Sequence, residues 1–251
     1  MKSTFLTLSA AVCFNVLLAG HVSADNFSLW PKRPPEIEQA RRLVRADERD
    51  KAVDLLKPFV GQDGVVGREA RKITAAVQVP RYLSRLNPTA TLYTVRAGDT
   101  LHRIVNTTQC PAEVIMLLNG ISDPSALKAG QKIVVTKMSL RAEIYPQLRE
   151  ICVWDEDVLV ASYDIESHNL QKAAEDVKTK VESRDGYLDG DALARRSAQY
   201  LSAERVIRLA GGVAVCGGQA PAGTCIRLQA VDANELALLL FVGAEVIIVN
   251  E

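Results

Sequence analysis

The sequence predicts an α+β multidomain protein with an N-terminal helical region, a small βααβ module and a mostly-β C-terminal domain. Three observations lead to this prediction. Apolar residues recur at helical spacing between residues 35 and 79. Residues 91–136 place two short helical patterns between two short apolar runs. From residue 139 onward, apolar residues fall in short runs bounded by turn residues, which is typical of β-strands.

Length and composition narrow the classes of function. The chain has 251 residues, enough for about one to three domains. Basic and acidic residues number 30 each, so the net charge gives no bulk attraction to nucleic acid. Aromatic residues make up only 5%, which argues against a surface on which single-stranded bases stack. We expect no nucleic-acid partner, no cofactor and no metal site.

Residues 1–24 have the pattern of a secretory signal peptide. Lys2 supplies the positive start, residues 5–18 form an apolar core, and Val22-Ser23-Ala24 make a small-residue cleavage site. A membrane anchor is the alternative, but the apolar run is short and Asn15 interrupts it. We therefore expect export to the periplasm, cell wall or envelope, and a mature chain without a membrane span.

Residues 35–79 are predicted to form helices, with Ile37, Ala40 and Val44 at helical spacing and a third helix ending before Pro80. Residues 79–90 are predicted to be a linker. The helix-turn-helix pattern resembles a tetratricopeptide unit. Only one such unit is visible, whereas about three are needed for an independent solenoid. The region is therefore either a helical spacer or a small accessory bundle that faces an envelope protein partner or the wall.

Residues 91–136 predict the order strand, helix, helix, strand. Thr100 is a good N-cap for the first helix. Asn119-Gly120 ends the second helix in the left-handed manner that favours glycine. Gly130 then turns the chain into a closing strand over residues 132–135.

This segment closely resembles a LysM domain. The family opening Y-x-V-x-x-G-D-T-L is found at Tyr93 to Leu101, and D-P-x-x-L and G-Q-x-I follow at 123–127 and 130–133. LysM domains bind the N-acetylglucosamine units of peptidoglycan or chitin in a shallow groove between the first strand-helix loop and the second helix-strand loop. By position, the resemblance implies a groove formed by Gly98, Asp99, Thr100, Leu101, Gly120, Ile121, Asp123 and Pro124. Several of these residues also suit turns and caps, and both roles can hold together.

The region 139–251 is predicted to be mostly β. The polar segment 166–200 is expected to contain helices at 170–181 and 192–201. The runs 213–216 and 224–228 are expected to be neighbouring antiparallel strands on either side of a glycine- and proline-rich turn.

The end of the chain resembles the C-terminal half of an L,D-transpeptidase (YkuD-type) domain. That family reads S-H-G-C-I-R-L, then D-A-x-E-L, then G-x-x-V-x-I; here residues 222–228 read AGTCIRL, 232–236 DANEL and 243–247 GAEVI. In the family, the cysteine attacks a peptide carbonyl after a histidine takes its proton. The resemblance therefore makes Cys225 and Arg227 the catalytic candidates, if the domain is active.

The departures from that family argue against activity. Gly223 stands where the family has the histidine before the cysteine, and Cys216 corresponds to the upstream histidine. Because the family fold places these two positions side by side, the resemblance implies a Cys216–Cys225 disulfide, which export would favour. A free structural thiol and an active nucleophile remain the alternatives for Cys225, in that order.

We interpret the chain as an exported cell-envelope protein that binds peptidoglycan glycan strands and carries a degenerate, non-catalytic transpeptidase-like domain. The alternative is an L,D-transpeptidase or carboxypeptidase that acts on peptidoglycan stem peptides through Cys225. A third possibility is an assembly factor that acts through the N-terminal helices.

Overall fold

The computed structural model describes residues 33–171, 173–188, 191–193, 203–218 and 223–250. Pro35–Glu251 form one compact unit. The predicted signal peptide, residues 1–24, lies outside the described residues. Across the described part of the chain, no helix combines the length and apolar character needed to cross a membrane.

Three helices open the described chain, as predicted: α1 (Pro35–Arg45), α2 (Arg49–Val60) and α3 (Gly64–Tyr82). They share a small apolar core formed by Ile37, Ala40, Ala52, Leu56 and Ala70. Helix α3 continues through Pro80, so part of the predicted linker is helical. A proline inside a helix removes one hydrogen bond, and burial of Val79 and Tyr82 against the rest of the protein offsets this loss.

The βααβ module is present as predicted. Its strands are β1 (Thr91–Thr94) and β2 (Lys132–Val135), which pair antiparallel; its helices are α4 (Leu101–Thr108) and α5 (Ala112–Asn119). The Thr100 side chain accepts a hydrogen bond from the Arg103 backbone and so caps α4. Gly120 ends α5 with φ 62°. A single 3-10 turn, Pro124–Ala126, precedes β2.

The described residues of the C-terminal region form a ten-stranded sheet and one helix, which confirms the mostly-β character of this region. Its elements are β3 (Arg141–Tyr145), β4 (Glu150–Asp155), β5 (Val158–Asp164), β6 (Ser167–His168), β7 (Val177–Leu188), β8 (Asp191–Leu193), β9 (Glu204–Leu209), β10 (Val213–Cys216), β11 (Thr224–Arg227), α6 (Ala230–Leu239) and β12 (Glu245–Ile248). The strand order is β5-β4-β3-β12-β7-β9-β10-β11-β6, and β8 pairs with β7 outside this path.

The helix predicted at 170–181 is wrong. From Val177 onward the chain is strand β7, which lies between β12 and β9. Residues 177–182 alternate Val, Lys, Thr, Lys, Val and Glu, which is the period of a strand with one polar face. Because the segment is highly charged, this alternation was not recognised in the sequence and a helix was predicted. Of the second predicted helix, Ala192 and Leu193 belong to β8, and residues 194–201 lie outside the described residues.

A second correction concerns β10 and β11, which are parallel and not antiparallel. Their register sets Ala214 opposite Cys225 and Cys216 opposite Arg227. The antiparallel neighbours of β10 and β11 are β9 and β6 respectively. The predicted hairpin between 216 and 224 was therefore the wrong topology.

One apolar core joins the βααβ module to the large sheet. It contains Ile104, Ile115 and Ile133 of the module together with Ile144 and Ile207 of the sheet, each at most 1% exposed. The module is thus packed against the C-terminal region along a shared core. This packing brings Glu113 of α5 to within 3.1 Å of Arg184 of β7.

Candidate functional site: a cleft beside the two module loops

The loop between β1 and α4 is held by Asp99. Its carboxylate accepts hydrogen bonds from the Tyr93 hydroxyl and the Arg96 backbone, both at 2.8 Å. The Arg96 amide, followed by the Tyr93 hydroxyl, lowers the pKa of Asp99. Gly98 has φ 81°, a left-handed conformation that favours glycine. The loop therefore has a defined shape without a ligand.

The loop between α5 and β2 is held in a similar way. Asp123 accepts hydrogen bonds from the hydroxyl (2.7 Å) and the backbone (2.8 Å) of Ser125, and these two bonds lower its pKa. Asn119 ties the end of α5 to β2, because its side chain donates to the Val134 carbonyl and accepts from the Val134 amide. Both loops are pre-organised, which reduces the entropy lost when a ligand binds.

The two loops open on one cleft of about 1840 Å³. Five of the eight groove residues predicted from the resemblance line it: Asp99, Thr100, Leu101, Asp123 and Pro124. The other three, Gly98, Gly120 and Ile121, lie outside its lining. Gly98 and Gly120 instead supply the positive φ of the turns.

The cleft also contains residues that the sequence did not indicate. Along α4 and α5 it is lined by His102, Asn106, Glu113 and Met116, and its far wall comes from the C-terminal region: Glu182 and Arg184 of β7, with Phe241 and Val242 after α6. No local motif marks this wall. It arises only because the βααβ module packs against the sheet.

An ion pair connects the module to that wall. Arg184 lies 3.1 Å from Glu113 of α5, and each side chain is 12% exposed. The same guanidinium donates to the Ala237 carbonyl of α6 at 2.6 Å. The module, the sheet and α6 are thus joined at one side of the cleft.

The second candidate site surrounds Cys225. In the structure a disulfide joins Cys216 and Cys225, with their Cα atoms 6.8 Å apart, within the range of protein disulfides. The Asn169 side chain accepts from the Cys225 backbone at 2.7 Å. Arg227, the other catalytic candidate, donates through Nη1 to the Gly218 carbonyl. Both candidates thus take part in bonds within this part of the sheet.

His168 lies on the strand that pairs with the one containing Cys225, a position that the sequence did not predict. It belongs to β6 and pairs with Ile226 of β11. Successive residues of a strand point to opposite faces of a sheet. His168 therefore shares a face with Ile226, and Cys225 lies on the other face.

The remaining cysteines of the predicted mature chain are Cys110 and Cys152, both buried and free. Burial raises the pKa of each thiol. These cysteines behave as small apolar core residues and give no sign of reactivity.

Comparison with known proteins identifies the βααβ module. Residues 93–136 match the model of the LysM domain, which confirms the resemblance seen in the motifs. The uncharacterized lipoprotein YgeR of Escherichia coli (strain K12) is 48% identical over 42 residues, which are 17% of this chain and 17% of that protein. The chain thus matches about a sixth of that relative's length.

Two solved L,D-transpeptidases are also similar. The enzyme from Xylanimonas cellulosilytica DSM 15894 is 15% identical, with 87% of this chain and 97% of that chain covered and a TM-score of 0.33. The one from Stackebrandtia nassauensis is 10% identical, with 78% and 88% covered and the same TM-score of 0.33. At such a TM-score the likeness says nothing about activity.

Proposed function

We propose that this protein is an exported component of the cell envelope that binds the glycan strands of peptidoglycan through its LysM domain. The observation that carries the proposal is the pair of pre-organised loops, held by Asp99 and Asp123, that open together on the cleft. LysM domains bind N-acetylglucosamine units between these two loops. The match to a lipoprotein supports a place in the envelope.

We further propose that the C-terminal region does not catalyse transpeptidation. The nucleophile in such chemistry is a thiolate, and a sulfur held in a disulfide cannot attack a carbonyl. The bond to Cys216 is therefore the first support. The position of His168 on the other face of the sheet is the second, because a general base must reach the proton that it removes.

Co-sedimentation with purified peptidoglycan sacculi tests the proposed function. The wild-type chain should pellet with sacculi, and Asp123→Ala should reduce the bound fraction because it releases the second loop. Asp157→Ala is the matched control, since Asp157 is an exposed aspartate in the turn after β4, outside the cleft. Equal pelleting of the wild type and Asp123→Ala would place the wall contact elsewhere in the chain.

A further inference from the structure

Hydrogen bonds hold the far wall of the cleft in place, as they do the two LysM loops. The turn after α6 is closed by a hydrogen bond from the Ala244 amide to the Phe241 carbonyl at 3.0 Å, and Gly243 has φ 95°. Two more backbone bonds, of 2.8 and 2.9 Å, join Gly243 and Ala244 to Val181 of β7. Phe241 and Val242 are thereby fixed beside the start of the Glu182–Arg184 segment.

This wall has chemistry that the sugar-binding loops lack. Val242 is 45% exposed and Phe241 is partly buried, so both offer apolar surface. Glu182 is exposed, and among the described residues its carboxylate has neither a hydrogen bond nor an ion pair. Arg184 and Glu113 add one positive and one negative charge on the same side of the cleft. The wall therefore combines apolar contact with a carboxylate that is available to a cation.

The size of the cleft points to a ligand larger than a few sugar units in a shallow groove. Its volume of about 1840 Å³ exceeds the range of roughly 300–1,000 Å³ that is usual for small-molecule pockets. Peptidoglycan is a glycan from which short peptides branch, and those peptides carry apolar side chains, carboxylates and amino groups. A branched ligand of this kind can occupy both sides of the cleft at once.

We propose that the wall formed by Glu182, Arg184, Phe241 and Val242 is a subsite for the peptide branch of peptidoglycan, in which the Glu182 carboxylate binds an amino group of the peptide. This inference rests on the proposed binding of the glycan by the LysM loops. It assigns the C-terminal region a role in recognition that does not involve Cys225. The LysM loops hold the sugar, and the wall selects strands that bear a peptide.

The test uses the full chain and two soluble probes measured by isothermal titration calorimetry. One probe is an N-acetylglucosamine oligomer without peptide, and the other is a peptidoglycan fragment of the same glycan length that bears a peptide with a free amino group. Glu182→Gln should weaken binding of the peptide-bearing fragment about two- to fivefold, the effect of one partly screened ion pair. Binding of the sugar oligomer should not change. Acetylation of the peptide amino group should abolish the difference between the wild type and the variant.

Controls separate the possible failures. Glu245→Gln removes an exposed glutamate of β12 that lies outside the cleft, and it should change neither affinity. If Glu182→Gln leaves both affinities unchanged, the peptide subsite is refuted while glycan binding stands. If the variant weakens both probes equally, the wall binds glycan and the peptide assignment is wrong. If the wild type binds neither probe, the proposed function itself fails.

Discussion

Arg71 of α3 and Glu150 of β4 form a buried, two-pronged ion pair, with Nε–Oε1 and Nη2–Oε2 distances of 3.0 and 2.7 Å. The side chains are only 8% and 1% exposed. Ser162 also donates to Glu150, and Arg71 donates to the carbonyls of Val60 and Gln62. Burial opposes the charge on Arg71, but the hydrogen bonds and charge of Glu150 outweigh it and raise the pKa of the guanidinium.

This pair leads to a prediction about stability. Arg71→Met leaves the Glu150 charge buried without its partner, so it should lower the free energy of unfolding by about 3–5 kcal/mol. Replacement of both residues by apolar ones should recover much of that loss. Arg68→Met is the matched control, because the Arg68–Asp164 pair is 41% and 58% exposed and should contribute at most about 1 kcal/mol. Urea unfolding followed by circular dichroism measures the free energy of unfolding of each variant. Equal losses of that free energy in Arg71→Met and Arg68→Met would contradict the prediction.

The Cys216–Cys225 disulfide is expected in protein exported to an oxidising compartment. Peptide mapping without reductant should recover the two cysteines in one linked species. Cys110 and Cys152 should react with an alkylating reagent only after unfolding, because both are buried. Free alkylation of Cys225 in the folded, unreduced protein would show that the bond does not form.

Carbapenem treatment tests for a reactive Cys225. We expect no covalent adduct on the oxidised protein and none after mild reduction, since His168 lies on the opposite face of the sheet from Cys225. Intact mass spectrometry followed by peptide mapping measures this directly. A carbapenem mass on Cys225 would revive the transpeptidase alternative.

The dependence of glycan binding on pH follows from the two loop carboxylates. Hydrogen bonds lower the pKa of both Asp99 and Asp123 from the ordinary value of 3.8. A lowered pKa in the folded state means that the ionised carboxylate stabilises the loop above its ordinary pKa, and that this support disappears as the pH falls through the lowered value. Affinity for an N-acetylglucosamine oligomer should therefore stay level from pH 7 to about 4 and fall at lower pH. A loss of affinity centred near pH 6 would show that a group other than these two carboxylates controls binding.

Local signals made the LysM part of the fold predictable. Thr100 as an N-cap and Gly120 as a left-handed C-cap act within one turn of chain, and both occur as expected. The errors arose where distant strands decide the structure. The charged segment that became β7 pairs with β12 and β9 on its two sides, and that pairing overrides a weak local pattern.

The candidate site likewise has one part that local sequence signals predicted and another that depends on distant contacts. The two loops of the cleft carry motif residues, so Asp99 and Asp123 could be named in advance. Glu182 and Val242 carry no motif, and they reach the cleft only through the core that the LysM domain shares with the sheet. The buried partner of Arg71 is 79 residues away in sequence, a separation that no periodicity reveals. Such contacts depend on tertiary packing and cannot be read from a single sequence.

The most direct test of the central claim is an NMR titration of the isotope-labelled full chain with an N-acetylglucosamine oligomer. We predict that the backbone amide signals that shift will cluster in residues 98–101 and 120–125, the two loops that open on the cleft. Thr100 and Asp123 should be among them, and the signals of α1 and α2 should stay in place. Shifts confined to other parts of the chain, or no shifts at saturating oligomer, would contradict glycan binding between the LysM loops.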